Sequence, residues 1–153
     1  MSARVRQLLA VAAAGLVCSL AVSACGGTGV TPSRLESSIA HTFANLYVLQ
    51  QAEQGNPRPT PDHLHANASC QKGTSSAPQD GAGNDWVCDI TYLVAGPYTP
   101  VTAIYNVNVQ TDGCYAADGD GPASVNGSRT VTGAHYQQVL NPLWLIDGCF
   151  DIT

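Results

Sequence analysis

Two alternating runs in the middle of the chain leave it little freedom in how it can fold. Trp86, Cys88, Ile90, Tyr92 and Val94 alternate with Val87, Asp89, Thr91 and Leu93. Val101, Ala103, Tyr105, Val107 and Val109 alternate with Thr102, Ile104, Asn106, Asn108 and Gln110. A period of two sends successive side chains to opposite faces of a strand. Both runs are therefore strands with one apolar face, joined by residues 95–100. Pairing Val94 with Val101 sets Tyr92 against Ala103, Ile90 against Tyr105, Cys88 against Val107 and Trp86 against Val109. All these side chains then share a face, and a slip by one residue would turn that face to water. Thr111-Asp112-Gly113 fits a three-residue hairpin loop with glycine in the left-handed position. It returns the chain into a third strand, Cys114 to Asp118, whose Tyr115 and Ala117 extend the same face.

A helix precedes the strands. Leu35, Ile39, Phe43, Leu46 and Leu49 recur at steps of four and three, one apolar stripe over about five turns. Ser33 and Glu36 have the spacing of a capping box, and Gly55-Asn56-Pro57 ends the helix near Gln54. Asn67 to Gln71 reads as a short strand around Cys70, and Gly73 to Asp85 as a surface loop. Further on, Asp118 to Thr132 is loop-rich, Ala134 to Leu140 reads as a short helix, and Leu143 to Phe150 as an edge strand. The fold class is α+β, an N-terminal helix packed on an antiparallel meander of three to four strands. That order resembles cystatin-like helix-on-sheet domains, a likeness of architecture that implies no activity.

The first residues do not belong to this domain. Arg4 and Arg6 precede an uncharged stretch from Leu8 to Val22, the length of a signal-peptide core. It closes on Val22-Ser23-Ala24-Cys25, then Gly26-Gly27. The segment resembles the bacterial lipoprotein signal, in which an aliphatic and two small residues precede an obligatory cysteine. The resemblance implies cleavage before Cys25, lipidation of its sulfur, and anchorage in the bilayer at the extracytoplasmic face. Ala21-Val22-Ser23 offers ordinary secretory cleavage as the competing reading. Residues 1–24 are then a signal, 25–32 a lipidated tether, and 33–153 one domain. The Lys-poor, Ala/Gly/Val-rich usage and the run Asp85–Tyr92 resemble small envelope lipoproteins of actinobacteria.

Of six cysteines, the resemblance implies that Cys18 leaves with the signal and that Cys25 carries lipid. Cys70, Cys88, Cys114 and Cys149 remain, and export to an oxidising compartment implies two disulfides. No C-x2-C pair supports zinc instead. Cys88 and Cys114 lie on strands separated by a third and point to opposite faces, so their pairing, and with it 70–149, is excluded. Of the two remaining connectivities, 70–88 with 114–149 is favoured over 70–114 with 88–149. The first bridge closes the glycine-rich loop and the second staples the irregular tail.

The mature part holds four cations (Arg34, Arg58, Lys72 and Arg129) against eleven acids, a net charge of −7. Such a domain lacks the basic footprint of a nucleic-acid binder. His63 and His65, with Asp62 beside them, are the closest histidine pair, but no third metal ligand is identifiable. Asp118-Gly119-Asp120-Gly121 reads as a turn and lacks the further oxygen donors of a calcium loop. G-x-S-x-G is absent from the mature region. No cofactor or resident metal is implied. Tyr98, between Pro97 and Pro100, and Trp144, after Asn141-Pro142-Leu143, are candidate binding aromatics. The leading expectation is a non-enzymatic, membrane-anchored binding or accessory module of the cell envelope. It would be held by acylated Cys25 and pair with an envelope protein. The alternative is a small envelope hydrolase using His63 or His65 with a carboxylate.

Overall fold

The structure, a computed structural model, describes residues 29–94 and 99–153. Helix α1 spans Pro32–Glu53 and a 3-10 turn spans Pro61–Leu64. The strands are β1 (Asn67–Lys72), β2 (Gly83–Leu93), β3 (Pro100–Val109), β4 (Cys114–Gly121), β5 (Thr130–Thr132), β6 (Gln138–Leu140) and β7 (Leu145–Cys149). Five of them form an antiparallel sheet in the order β1-β2-β3-β4-β7, and β5 with β6 makes a separate hairpin. This is the expected α+β architecture, one helix on an antiparallel sheet.

The helix starts at Pro32, one residue before the expected Ser33. Pro32 occupies its first position, where a missing N–H costs nothing. Thr31 is the N-cap and makes no side-chain cap bond, so the capping box of Ser33 and Glu36 does not form. Glu36 instead accepts the backbone N–H of Cys70 at 2.9 Å. The base of the helix also draws in residues assigned to the tether. Gly29 N–H bonds the Ile152 carbonyl at 2.8 Å, and Val30 is buried. Arg34 closes this end by donating to the carbonyls of Asp151 and Thr153.

The buried stripe of α1 runs Leu35, Ile39, Phe43, Tyr47 and Gln50, with Ala40 and Ala44 beside it. Leu46 is only partly buried and Leu49 is exposed. A helix turns about 100° per residue. Tyr47 and Gln50 therefore lie within about 40° of Phe43, whereas Leu49 lies about 120° away. Angle decides over hydrophobicity here. Gln50 is accommodated because its amide donates to the Val125 carbonyl and to Asn141 Oδ1, both at 2.7 Å.

In the sheet, Trp86, Cys88, Ile90 and Tyr92 of β2 face inward with Ala103, Tyr105, Val107 and Val109 of β3. The face is the expected one and the register is not. Tyr92 pairs with Val101, Ile90 with Ala103, Cys88 with Tyr105 and Trp86 with Val107, a shift of two residues. A shift of two preserves every side chain's face, so alternation cannot tell the two registers apart. Strand β4 also runs further than expected. Asp118 pairs with Asn106 on its outer face, and Asp120 is exposed at a register irregularity of the same strand, so neither lies in a loop.

Residues 134–140 form no helix; β5 and β6 pair instead, Thr130 with Leu140 and Thr132 with Gln138. Tertiary contacts override local preference here. Ala134 N–H bonds the Glu53 carbonyl at the end of α1, and Tyr136 takes a left-handed conformation in the turn, φ 63°. The expected edge strand is present as β7, paired with β4 from Cys114↔Cys149 to Asp118↔Leu145.

The sheet curls around the helix, so that its edge strands β1 and β7 come nearest to α1. Ser38 and Thr42 of α1 hydrogen-bond the Tyr115 hydroxyl, and Ser38 also donates to the Cys149 carbonyl. Beyond Glu36, the β1 edge is closed by Gln79. Its side-chain amide accepts the Lys72 N–H at 3.0 Å and donates to the Lys72 carbonyl at 2.9 Å. Phe43, Tyr47, Tyr92 and Tyr105 form the aromatic centre of the core, with ring centroids 4.8 Å apart for Phe43–Tyr92 and 5.0 Å for Tyr47–Tyr92.

Both disulfides form as favoured from the sequence. Cys70–Cys88 joins directly paired residues of β1 and β2, with Cα atoms 4.1 Å apart. Cys114–Cys149 does the same for β4 and β7, at 3.9 Å.

Candidate functional site

A surface cleft of about 640 Å³ lies between α1 and the segment from Pro61 to Ala68. Antiparallel packing of α1 on β1 builds it, with the 3-10 turn closing one end. Ala40 and Ala44 of the helix, Ala66 before β1 and Ala68 within it line the cleft with methyl groups. Four methyl groups in place of larger side chains are what keep the space open.

The walls are polar. The helix contributes Glu36 and His41, and the 3-10 turn contributes Asp62 and His65. Ser33, Ser37 and Asn67 supply hydroxyl and amide groups. Among the described residues no Lys or Arg lines the cleft. Arg34, on the same helix, is turned to the Asp151 and Thr153 carbonyls, and Lys72 Nζ is held at the Asp80 carbonyl. Glu36 is half-buried and fixed by the Cys70 N–H. His65 caps the 3-10 turn in a left-handed conformation, φ 44°, with its N–H on the Asp62 carbonyl. Histidine tolerates this region better than most residues do.

Of the sequence candidates, the structure brings His65 and Asp62 together in the cleft. His63 is exposed and does not line it. His41 and Glu36 were not recognisable as partners of His65, because the two segments meet only through the fold. A signal existed on the helix itself. Glu36, Ser37, Ala40, His41 and Ala44 form a second stripe of polar and small residues beside the apolar one. Among the described residues no group of three His, Cys, Asp or Glu side chains converges as a metal site. Nor does any side-chain hydrogen bond there link a cleft serine to His41 or His65, or either histidine to Asp62 or Glu36.

Trp144 lies elsewhere, half-buried in the turn before β7, where its N–H bonds the Asn141 carbonyl and its carbonyl accepts Gly119 N–H. These bonds fix the Trp144 backbone next to the fully buried Leu143. Tyr98 and Cys25 lie outside the described residues.

The groups with displaced acidities belong to the core and not to the cleft. Burial pushes the Tyr92 and Tyr105 hydroxyls well above the usual tyrosine range, and Tyr47 upward as well. Tyr105 donates to the Leu143 carbonyl at 2.9 Å, which ties β3 to the segment before β7. Asp151 is held low by the hydroxyl and N–H of Thr153. The buried amides of Gln50 and Asn141 bond each other and the Val125 carbonyl, tying this segment to the end of α1, and the buried Asn126 amide donates to the Ile104 carbonyl of β3.

Comparisons of the chain with protein-family models, with curated proteins and with solved structures yield no significant match.

Proposed function

We propose that the chain is an exported, lipid-anchored binding module of the cell envelope that acts without catalysis. The observation that carries this reading is the pairing of all four domain cysteines into two cross-strand disulfides. Such bridges persist in oxidising compartments, which agrees with the export signal and with Cys25 as the attachment residue. The concave cleft, with small residues for a floor and polar groups around it, is the surface suited to a ligand.

Anchoring at Cys25 has a geometric consequence. Gly29 is already hydrogen-bonded into the domain, so the chain from Cys25 spans at most about 14 Å. The Gly29 end would then face the bilayer, and α1, about 33 Å long, would lead away from it. Two acyl chains hold stably where one does not. A net charge of −7 gives the domain no attraction of its own for anionic lipid. Cys25→Ser is therefore expected to move the protein from the membrane fraction to the soluble fraction or to block its processing. Membrane fractionation with mass analysis of the N-terminal peptide checks this. Unchanged membrane association with a fully cleaved, unlipidated N-terminus would overturn the reading.

A further inference from the structure

We propose that Cys114–Cys149 is a redox switch: a dithiol reductant opens it in the folded domain while Cys70–Cys88 stays closed, and opening loosens the chain end that closes the base of α1. The inference goes beyond the binding-module reading and does not depend on lipidation of Cys25.

The two bridges share a form and differ in surroundings. Each joins directly paired residues of neighbouring antiparallel strands. Cys88 is fully buried and Cys70 nearly so, both within the core cluster that α1 covers. Cys149 is exposed and Cys114 half-buried. Thiol–disulfide exchange requires a thiolate to reach one sulfur of the bridge, so access ranks the two. The outer bridge can be reached with the fold intact. The inner one is reached only when α1 lifts from the sheet.

The outer bridge also stands where opening has a local consequence. Among the described residues β7 has one neighbour in the sheet, β4, and the Cys114↔Cys149 pair ends that pairing. The chain beyond it runs along the base of α1. Phe150 N–H bonds the Gly113 carbonyl at 3.1 Å, and Gly29 N–H bonds the Ile152 carbonyl at 2.8 Å. Arg34 donates to the carbonyls of Asp151 and Thr153 at 2.8 and 3.0 Å, both in exposed positions. Hydrogen bonds open to water and few in number mark a segment that opens locally at low cost. The bridge is the covalent tie at the root of this segment.

The exchange balances without a further reactant. One thiolate of the dithiol attacks the Cys149 sulfur, the more exposed of the two, and forms a mixed disulfide. The S–S bond breaks toward Cys114, which leaves as a thiolate and takes up a proton. The second thiolate of the reductant then attacks its own sulfur in the mixed disulfide and expels Cys149, which is protonated in turn. Two electrons and two protons pass from the dithiol to the protein, and the reductant ends as a disulfide. The reverse sequence with an oxidised dithiol closes the bridge.

The test uses dithiothreitol on the full chain in a non-ionic detergent. Free thiols are trapped with iodoacetamide at intervals and located by peptide mass mapping, with any label on Cys25 read separately. Cys114 and Cys149 should be labelled together, at least about tenfold faster than Cys70 and Cys88, the order that access dictates. Hydrogen exchange on the same samples should quicken at the Gly29 and Phe150 amides and stay slow along β2 and β3. In Cys114→Ser/Cys149→Ser those two amides should exchange fast without reductant, and dithiothreitol should change nothing more. Equal or earlier labelling of Cys70 and Cys88 would overturn the proposal. So would labelling that begins only when the β2 and β3 amides also exchange. Unchanged protection of Gly29 and Phe150 in the selectively reduced protein would show that the bridge controls nothing, and would overturn it as well. Each outcome is read on the unmutated chain, so failure of the double variant to fold leaves the test intact.

Discussion

The two faces of the five-stranded sheet carry one disulfide each and are otherwise opposites. The inner face holds Cys70–Cys88 among fully buried aromatic and aliphatic side chains, under α1. The outer face holds Cys114–Cys149 beside Asp118 and Asp147, with Cys149 itself exposed. Val87 and Ile104 also look outward and are 43% and 37% exposed. The contrast separates two ways in which a cross-link can matter. One bridge is a piece of core as well as a covalent tie. The other is a tie alone.

Removing each bridge in turn gives the largest expected effect and the sharpest test of that contrast. In the chain-entropy model the 18-residue separation of Cys70–Cys88 is worth about 3 kcal/mol and the 35-residue separation of Cys114–Cys149 about 4 kcal/mol. Entropy alone therefore ranks the outer bridge higher. Burial reverses the order, because Cys70→Ala/Cys88→Ala also leaves a cavity against Trp86 and Ile90. The inner double variant should lose about 5 kcal/mol or fail to fold, and the outer one about 3 to 4 kcal/mol. Denaturant unfolding of both variants decides. A more stable inner variant would mean that Cys88 contributes closure and no packing.

Alkali probes the inner face without mutation. Tyr92 and Tyr105 titrate far higher in the folded chain than in the unfolded one. Their stabilising contribution is therefore complete below pH of about 10 and is lost as pH rises above it, where only the unfolded state ionises. Each tyrosine should add a slope of about −1.4 kcal/mol per pH unit. Melting curves between pH 9 and 12 should show this loss, and Tyr92→Phe should remove one proton's worth of it. A flat profile would show that these hydroxyls reach water.

The outer face supplies the smallest effect. Ile104→Thr replaces an exposed β-branched residue by another on a strand and should change stability by about 0.5 kcal/mol or less. A loss above about 2 kcal/mol would mean that something covers this face in solution.

Much of this division could be read from the residues. The alternation from Trp86 to Val109 identified the inner face side chain by side chain. The argument that Cys88 and Cys114 point to opposite faces removed a connectivity for the right reason. What escaped had physical causes of three kinds. The pairing of β2 with β3 was off by two because a period-two pattern repeats every two residues. The second half of α1 was assigned to Leu46 and Leu49 because side-chain hydrophobicity was followed where helical angle governs. Residues 134–140 look helical in isolation because the contacts that make them a hairpin, Ala134 with Glu53 and Asn141 with Arg129, join distant parts of the chain. The cleft shared this last difficulty. Asp62 and His65 were visible as a pair, but Glu36 and His41 join them only once β1 lies along α1.

The side chain of Gln79 has a consequence at the level of many molecules. A sheet margin with free amides and carbonyls is a template on which another chain can add itself, and growth of that kind has no natural stopping point. By occupying both the N–H and the carbonyl of Lys72, Gln79 acts as a strand one residue long. It blocks that end of the margin and offers no further backbone to copy. Proteins crowded on a surface meet one another side by side far more often than in dilute solution. A margin already satisfied from within lets neighbours collide and part as individuals.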